Sequence, residues 1–265
     1  MALATPGPLR VVSNHVVVFR RFWRLNVLSS FVQPMLYILG LGVGVGALVD
    51  RNTGATDTLG GVSYVAFVAP GVLATTAMAI CAAESMWPVM GGLKWRREYH
   101  GIAATPLDAS DIVLGHGIWM AVRAGIAAGA VAVALALFAD TRSWGLVPSV
   151  PVAMLVGAAF AMPTMAYSVG AEMDGGFAAL QRFVIIPLFL FGGAFYPLSQ
   201  LPEVVQWVAR VFPLWHGVVV ARAFTTDAGD EPGVLAIAGH LAYVTLWAVA
   251  GTVVAIRRLR ARLYP

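Results

Sequence analysis

Of 265 residues, 59% are hydrophobic and 11% charged, against roughly 45–50% and about 25% in soluble domains, and the mean hydropathy is +0.80. These values exclude an ordinary soluble protein and point to a single bundle of membrane-spanning helices. The formal charge of +4 is too small and dispersed to suggest nucleic acid, and a lone Cys81 excludes an intrachain disulfide and argues against a thiolate metal site.

Met1–Pro8 carries no apolar h-region, so no cleavable signal peptide is expected. Over residues 9–24 a helical projection gathers Val11, Val12, His15, Val16, Val18, Phe19, Phe22 and Trp23 on one face. Arg10, Ser13, Asn14, Arg20, Arg21 and Arg24 fall on the other, with only Val17 out of place. Arginines opposite aromatics suit an amphipathic helix lying in the headgroup plane; a cytoplasmic extension of the first span is the alternative.

Six apolar runs follow: Leu25–Val49, Val62–Ala83, Ile112–Ala139, Leu146–Ala171, Phe183–Leu201 and Gly233–Ile256. Each is about long enough to cross the hydrocarbon. With their flanks they predict an all-α polytopic protein, one domain over 1–265, with spans at 25–49, 62–86, 112–139, 146–171, 180–201 and 233–256. An even number puts both termini on one side. If that side is cytoplasmic, the inner segments hold twelve Lys and Arg residues, including Arg10, Lys94, Arg182 and Arg257, while the outer ones hold Arg51, Arg142, Arg210 and Arg222. That is the bias of a multi-pass protein of the cytoplasmic membrane with both termini inside.

Pro34, Pro70, Pro163 and Pro187 sit within spans, where each frees a carbonyl and bends the helix. Gly40/Gly44 and Gly42/Gly46 form two small-xxx-small pairs that permit close helix contact or merely flexible packing. The bridge from Gly91 to Asp111 places Lys94, the only lysine, beside Trp95, Arg96, Arg97, Glu98, Tyr99 and His100. In so apolar a chain it is the natural docking element for an aqueous partner. Trp95 and Tyr99 serve either as docking aromatics or as headgroup anchors. Asp108, three residues before Asp111, reads as a capping-box start for the third span, and Pro106 disfavours helix at Thr105.

The fifth span carries Gly192-Gly193 and Pro197 near its outer end. Beyond Pro202, Val204, Val205, Val208, Val211 and Phe212 share one helical face, with Glu203, Gln206 and Arg210 opposite. This predicts an outer-side re-entrant hairpin over 197–222, between helices five and six, with a plain surface helix as the alternative.

The run Phe191-Gly192-Gly193-Ala194-Phe195-Tyr196-Pro197, then Leu201-Pro202, then Pro213-Leu214-Trp215-His216 with Arg222, resembles the C-terminal signature of ABC-2 type transporter permeases. These are the membrane subunits of the drug-resistance and nodulation-factor exporter branch. Pro70-Gly71, Glu98 with Gly101-Ile102-Ala103-Ala104-Thr105-Pro106-Leu107, and Asp111-Ile112-Val113-Leu114-Gly115 resemble its second-span and cytoplasmic-loop motifs. The resemblance implies six spans per subunit, a dimer with a second permease, identical or paralogous, and two copies of a separate ABC ATPase. It implies a coupling helix within 94–106, contacting the ATPase through Arg97, Glu98, Tyr99, His100, Gly101, Ile102, Ala103, Ala104, Thr105 and Pro106. The interfacial helix with Arg10, Arg20, Arg21 and Arg24 would touch the ATPase too. The outer hairpin with Phe195, Pro197, Pro202, Pro213, His216 and Arg222 would close the path. The implied cargo is an amphipathic, drug-like or lipid-like substrate moved outward.

No G-x-x-x-x-G-K-[ST] is present, since Lys94 is preceded by Leu93 and followed by Trp95. No cofactor is therefore expected on this chain; ATP and Mg belong to the partner. Glu84, His116 and Arg123 lie at or within apolar runs, as a structural pair or part of a translocation path. His240, alone in the sixth run, suits a packed, hydrogen-bonded side chain better than a ligand. Glu172 and Asp174 suit a helix-ending turn. The rival classes are a polytopic intramembrane enzyme, a lipid-modifying transferase or hydrolase, and a secondary transporter. The first is disfavoured by the scattered histidines and the lack of H-E-x-x-H or G-x-S-x-G, the second by the lack of a convincing internal repeat.

Overall fold

The computed structural model describes residues 6–51, 59–226 and 232–264, and every regular element among them is helical. Helix α1 (Gly7–Tyr37) continues through a π-helical segment, Ile38–Val45, into the short α2 (Gly46–Val49). Helix α3 (Tyr64–Glu84) leads through α4 (Trp87–Met90) and a π segment, Gly91–Trp95, to the short α5 (Glu98–Ala103). Then come α6 (Ala109–Leu135), α7 (Leu146–Gly170), and a bent unit of α8 (Gly175–Leu180), a π segment Gln181–Ile185 and α9 (Ile186–Phe191). Helices α10 (Glu203–Val211), α11 (Pro213–Thr225) and α12 (Val234–Leu263) complete the chain.

Among the described residues four helical stretches are long and apolar enough to cross a membrane: Tyr64–Trp95, α6, α7 and α12. The bent pair α10–α11, with 87° between its arms, passes that test only when taken together, and Gly175–Phe191 is apolar but shorter. Four of the six anticipated spans are thus single crossing-length helices. The first is interrupted by the π segment after Pro34. The fifth stops at Phe191 rather than running to Leu201, because Gly193 adopts φ +82° and turns the chain.

The helix ends follow local chemistry. The Ser63 hydroxyl accepts from the Ala66 N–H (3.3 Å) at the start of α3, and the Asp50 carboxylate takes the Tyr64 N–H (2.9 Å). At α6 the Asp108 N–H donates to Asp111 Oδ2 (3.0 Å), half of the capping box that the spacing predicted. Two interior prolines adjoin π segments, Pro34 just before one and Pro187 just after another. There the backbone absorbs the lost i→i−4 bond by widening a turn.

The core lies where α3, α6 and α7 meet, with α11 packed on α7 and α3, α12 chiefly on α7, and α1 along α6. Leu73, Met78, Cys81, Met120, Ala124 and Met165 are fully buried there. Gly157 of α7 permits this approach: a Cβ on it would lie 2.7 Å from Ala124 Cβ and 2.9 Å from Cys81 Sγ. Of the glycines singled out in the first run, Gly46 is buried in ordinary contact with Tyr64 and Val65 of α3 (3.6–3.7 Å from its would-be Cβ), and the Gly40/Gly44 pair plays no such role. Gly40 meets nothing within 4 Å and Gly44 only a backbone oxygen at 3.9 Å.

The N-terminal stretch differs from a single apolar stripe. Val11 is buried and Val12, His15 and Phe19 are half-buried against α6, while Val16, Val18, Phe22 and Trp23 are exposed. A break at Phe22 (φ −122°, ψ 16°) falls close to the boundary at Arg24.

Candidate functional site

Three clusters involve the residues marked by sequence. The first is α5 and its flanks. Helix α5 starts from Arg97 in the left-handed region (φ 53°), an unfavourable conformation for a residue with a side chain. Tyr99 is buried and Ile102 packs against the core, so the helix stands on an apolar foot. Arg96, Arg97, Glu98, His100, Gly101, Ala104, Thr105 and Pro106 are exposed, and Ala103 is half-buried. Arg96 donates to Glu98 (2.6 Å), which raises its own pKa, and burial raises that of the Tyr99 hydroxyl. The Tyr99 ring supports the helix from within, pressed within 3.2 Å of where a Cβ on Gly92 would lie. Trp95 is exposed.

The basic end of α12 locks this region to the neighbouring helix ends. Arg260 pairs with Asp108 (2.5 Å) and Arg262 with Glu172 (2.7 Å), while Lys94 donates to the Glu172 carbonyl (2.6 Å). Arg258 donates to the Ala166 carbonyl (3.0 Å), and Arg262 to the Gly170 carbonyl (3.2 Å), which the end of α7 leaves without a helical donor. The arginine contacts hold the Asp108 and Glu172 carboxyls below their ordinary pKa values. Glu172, read as part of a helix-ending turn, is also an anchor for the C-terminal helix.

The second cluster is inside the bundle. Arg123 donates to Glu84 Oε1 through Nε (2.9 Å) and Nη2 (2.5 Å), and its guanidinium lies 5.0 Å from the centroid of the Phe19 ring. The arginine side chain is 4% exposed and the glutamate 31%, so the pair bridges a dry interior and a wetter edge. His116 is not part of that pair; its Nε2 meets the Ser85 hydroxyl at 2.9 Å. The His15 ring lies 5.8 Å from the His116 ring and stacks on Trp119. His116 Nδ1 and Arg123 Nη1 have no partner among the described residues. Ser168 bonds to the Met86 carbonyl (2.8 Å) at the break below Glu84. Sequence reasoning missed Ser85, Ser168 and the role of Phe19, because a small hydroxyl or an aromatic in an apolar run carries no pattern of its own.

The third cluster is the outer hairpin. Arg222, counted among the outer charges, folds back into the protein: its guanidinium lies 3.8 Å from the Phe67 ring centroid and donates to the carbonyls of Gly193 (3.0 Å) and Phe67 (3.3 Å). A Cβ on Gly71 would sit 2.6 Å from Ala194 Cα, so Pro70-Gly71 of α3 and the Gly193–Phe195 turn form one contact, with Phe195 buried. Pro197 precedes a single 3₁₀ turn, Leu198–Gln200, and Pro202 and Pro213 open α10 and α11. Val204, Trp207, Val208 and Val211 of α10 are exposed, so its apolar face points away from the protein. The histidines are not all scattered, and His240 is not alone. His216 and His240 meet Nδ1 to Nδ1 at 2.7 Å, and His216 Nε2 reaches the Arg210 carbonyl (2.9 Å). Tyr243 adds a bond to the Val211 carbonyl (2.6 Å), tying the hairpin to α12.

Among the described residues no group of three or more His, Cys, Asp or Glu side chains is placed to hold a metal ion. The arrangement is one of buried pairs, helix anchors and two exposed helical tips.

The ABC-2 type transporter family model matches residues 10–224. The chain is 35% identical to nodulation protein J of Rhizobium leguminosarum bv. trifolii over 216 residues, 79% of this chain and 80% of that protein. It is 30% identical to nodulation protein J of Rhizobium meliloti (strain 1021) over 259 residues, 95% of each. Inner membrane transport permease YadH of Escherichia coli (strain K12) is 23% identical over 239 residues, 87% of this chain and 89% of that protein. No solved structure matches. A chain whose all-helical bundle is matched over most of its length by this family model belongs to the ABC-2 type transporter family.

Proposed function

We propose that the protein is the permease subunit of an ATP-driven exporter of the cytoplasmic membrane, moving an amphipathic, drug-like or lipid-like substrate outward. Six spans, formed by the four long helices together with residues 25–49 and 180–201, would put both termini in the cytoplasm. The two broken elements would cross as bent rather than straight helices. Arg10, Arg20, Arg21 and Arg24 would lie at the inner surface, and α10 would dip its apolar face into the outer leaflet. The relative named inner membrane transport permease supports transport across the inner membrane.

The observation that carries the coupling reading is α5: a short helix with a polar exposed tip, a buried Tyr99 beneath it, and stiff helices, α3–α4 and α6, on either side. Such an element can take a push from a soluble partner and pass it to two spans at once. The partner would be an ABC ATPase in two copies, binding ATP and Mg on its own chain. A second permease, identical or paralogous, would complete the path. Residues 97–106 would sit in the ATPase. Glu84, Arg123 and His116 would act as a structural anchor between α3 and α6 rather than as a transport site.

The test is affinity purification of the tagged chain in mild detergent. A stoichiometric ATPase carrying a P-loop should accompany it, and should be lost when residues 97–106 are replaced by a Gly/Ser linker. Equal recovery of the ATPase with both forms would overturn the coupling assignment. Purification of the permease alone would overturn the exporter reading itself.

A further inference from the structure

Beside α5 lies a basic pocket. Leu93 and Lys94 of the π segment, Arg97 at the left-handed turn, His100 of α5 and Arg262 of α12 line one cavity of about 330 Å³. Three permanent cations from separate stretches therefore face one small space, with a titratable imidazole beside them. Glu172 takes Arg262 on its carboxylate and Lys94 on its carbonyl, and its side chain is 78% exposed; Glu98, next to Arg97 in the chain, is paired with Arg96. Arg97 and His100 have no side-chain hydrogen bond or ion pair among the described residues. The pocket keeps a net positive charge after every internal pairing is counted.

The geometry points to a phosphate-binding site whose ligand is the anionic headgroup of an inner-leaflet phospholipid. Guanidinium forks and an ammonium group are the donors that phosphate oxygens take best. The cavity lies at the small end of ligand-sized pockets, suited to a headgroup and not to a folded surface. Its wall is apolar at Leu93, and Trp95, 61% exposed, stands next to it on the chain as an interfacial aromatic would. Arg262 stands at the end of α12, a crossing-length apolar helix that is largely unburied within this chain and gives an acyl chain a surface to follow. Basic pockets between spanning helices on the inner side recognise lipid phosphates in this way. A bound headgroup would join α5 to the basic end of α12 and stiffen the coupling element. The inference rests on the inner-side placement of α5 proposed above, and not on the ATPase.

Native mass spectrometry of the detergent-purified full chain, titrated with phosphatidylglycerol and separately with phosphatidylcholine, tests it without any ATPase present. Phosphatidylglycerol should be retained in preference to phosphatidylcholine. The double variant R97Q/H100Q should weaken that retention roughly tenfold and leave phosphatidylcholine unchanged. Because Arg97 and His100 bond nothing within the fold, the unfolding temperature should not move. The single variant H100Q, with a loss of about threefold, carries the same test should the double variant fail to fold. Unchanged phosphatidylglycerol retention in these variants overturns the site. Inorganic phosphate displacing the lipid at equal concentration overturns the lipid as its source. Loss of ATPase co-purification in R97Q/H100Q with lipid retention intact assigns the pocket to acidic side chains of a protein partner, and overturns it too.

Discussion

Arg123 and Glu84 set the energetics at the residue scale. A guanidinium buried this deeply costs several kcal/mol to desolvate, and its carboxylate partner recovers that cost only while both remain. Replacing Arg123 by Met leaves Glu84 unpaired and should lower unfolding stability by about 2–3 kcal/mol. The double variant E84Q/R123M should recover much of the loss. Denaturation in detergent, followed as a double-mutant cycle, checks this; a stable single variant would show that the pair contributes nothing. At the aqueous end the sign of pH dependence is fixed by Asp108. Its carboxyl is held below the ordinary value of 3.8, chiefly by the Arg260 hydrogen bond. The pair therefore contributes fully above about pH 4, and its contribution fades as pH falls through the lowered value. Both side chains are about half exposed, at 57% and 43%, so the effect amounts to a few tenths of a kcal/mol. D108N, which keeps a capping side chain at the start of α6, should flatten this part of a stability-against-pH curve below pH 4.

At the scale of elements, close approach explains why α7 is the central helix. Gly157 lets α3 and α6 reach it together, and even a methyl group there meets Ala124 and Cys81 at less than contact distance. Gly157→Ala should cost about 1–3 kcal/mol through overpacking. Gly40→Ala, where nothing lies within 4 Å, should cost no packing energy within this chain. Thermal unfolding of the two variants side by side separates a packing glycine from one that the subunit fold does not use. The outer hairpin follows the same logic: the turn at Gly193 exists because α3, through Gly71, comes within backbone contact of Ala194, and Arg222 then satisfies the exposed carbonyls.

For the whole molecule the open question is sidedness. Trp144, 91% exposed in the connection between α6 and α7, and His100 on α5 lie at opposite ends of α6. Under the proposed topology, W144C should react with an impermeant maleimide in intact cells and H100C only after permeabilisation. The native Cys81 is fully buried, so the background should be silent. The reverse pattern would invert the molecule and remove α5 from the cytoplasm.

The sequence by itself determined the helical class, four crossing helices, the Asp108–Asp111 helix start and the membership of a permease family, because these rest on hydropathy, local capping and motifs that are contiguous in the chain. The short helix that opens after Pro202 was legible for the same reason. Tertiary structure alone decided that Arg123 takes Glu84 and His116 takes Ser85, that Arg222 turns inward over Phe67, and that His216 meets His240. Their partners lie 24 to 155 residues away in the chain, beyond any periodicity. It also decided which glycines matter. A small residue reads the same in sequence whether it faces another helix or open space, and only the packing of α3, α6 and α7 tells Gly157 from Gly40.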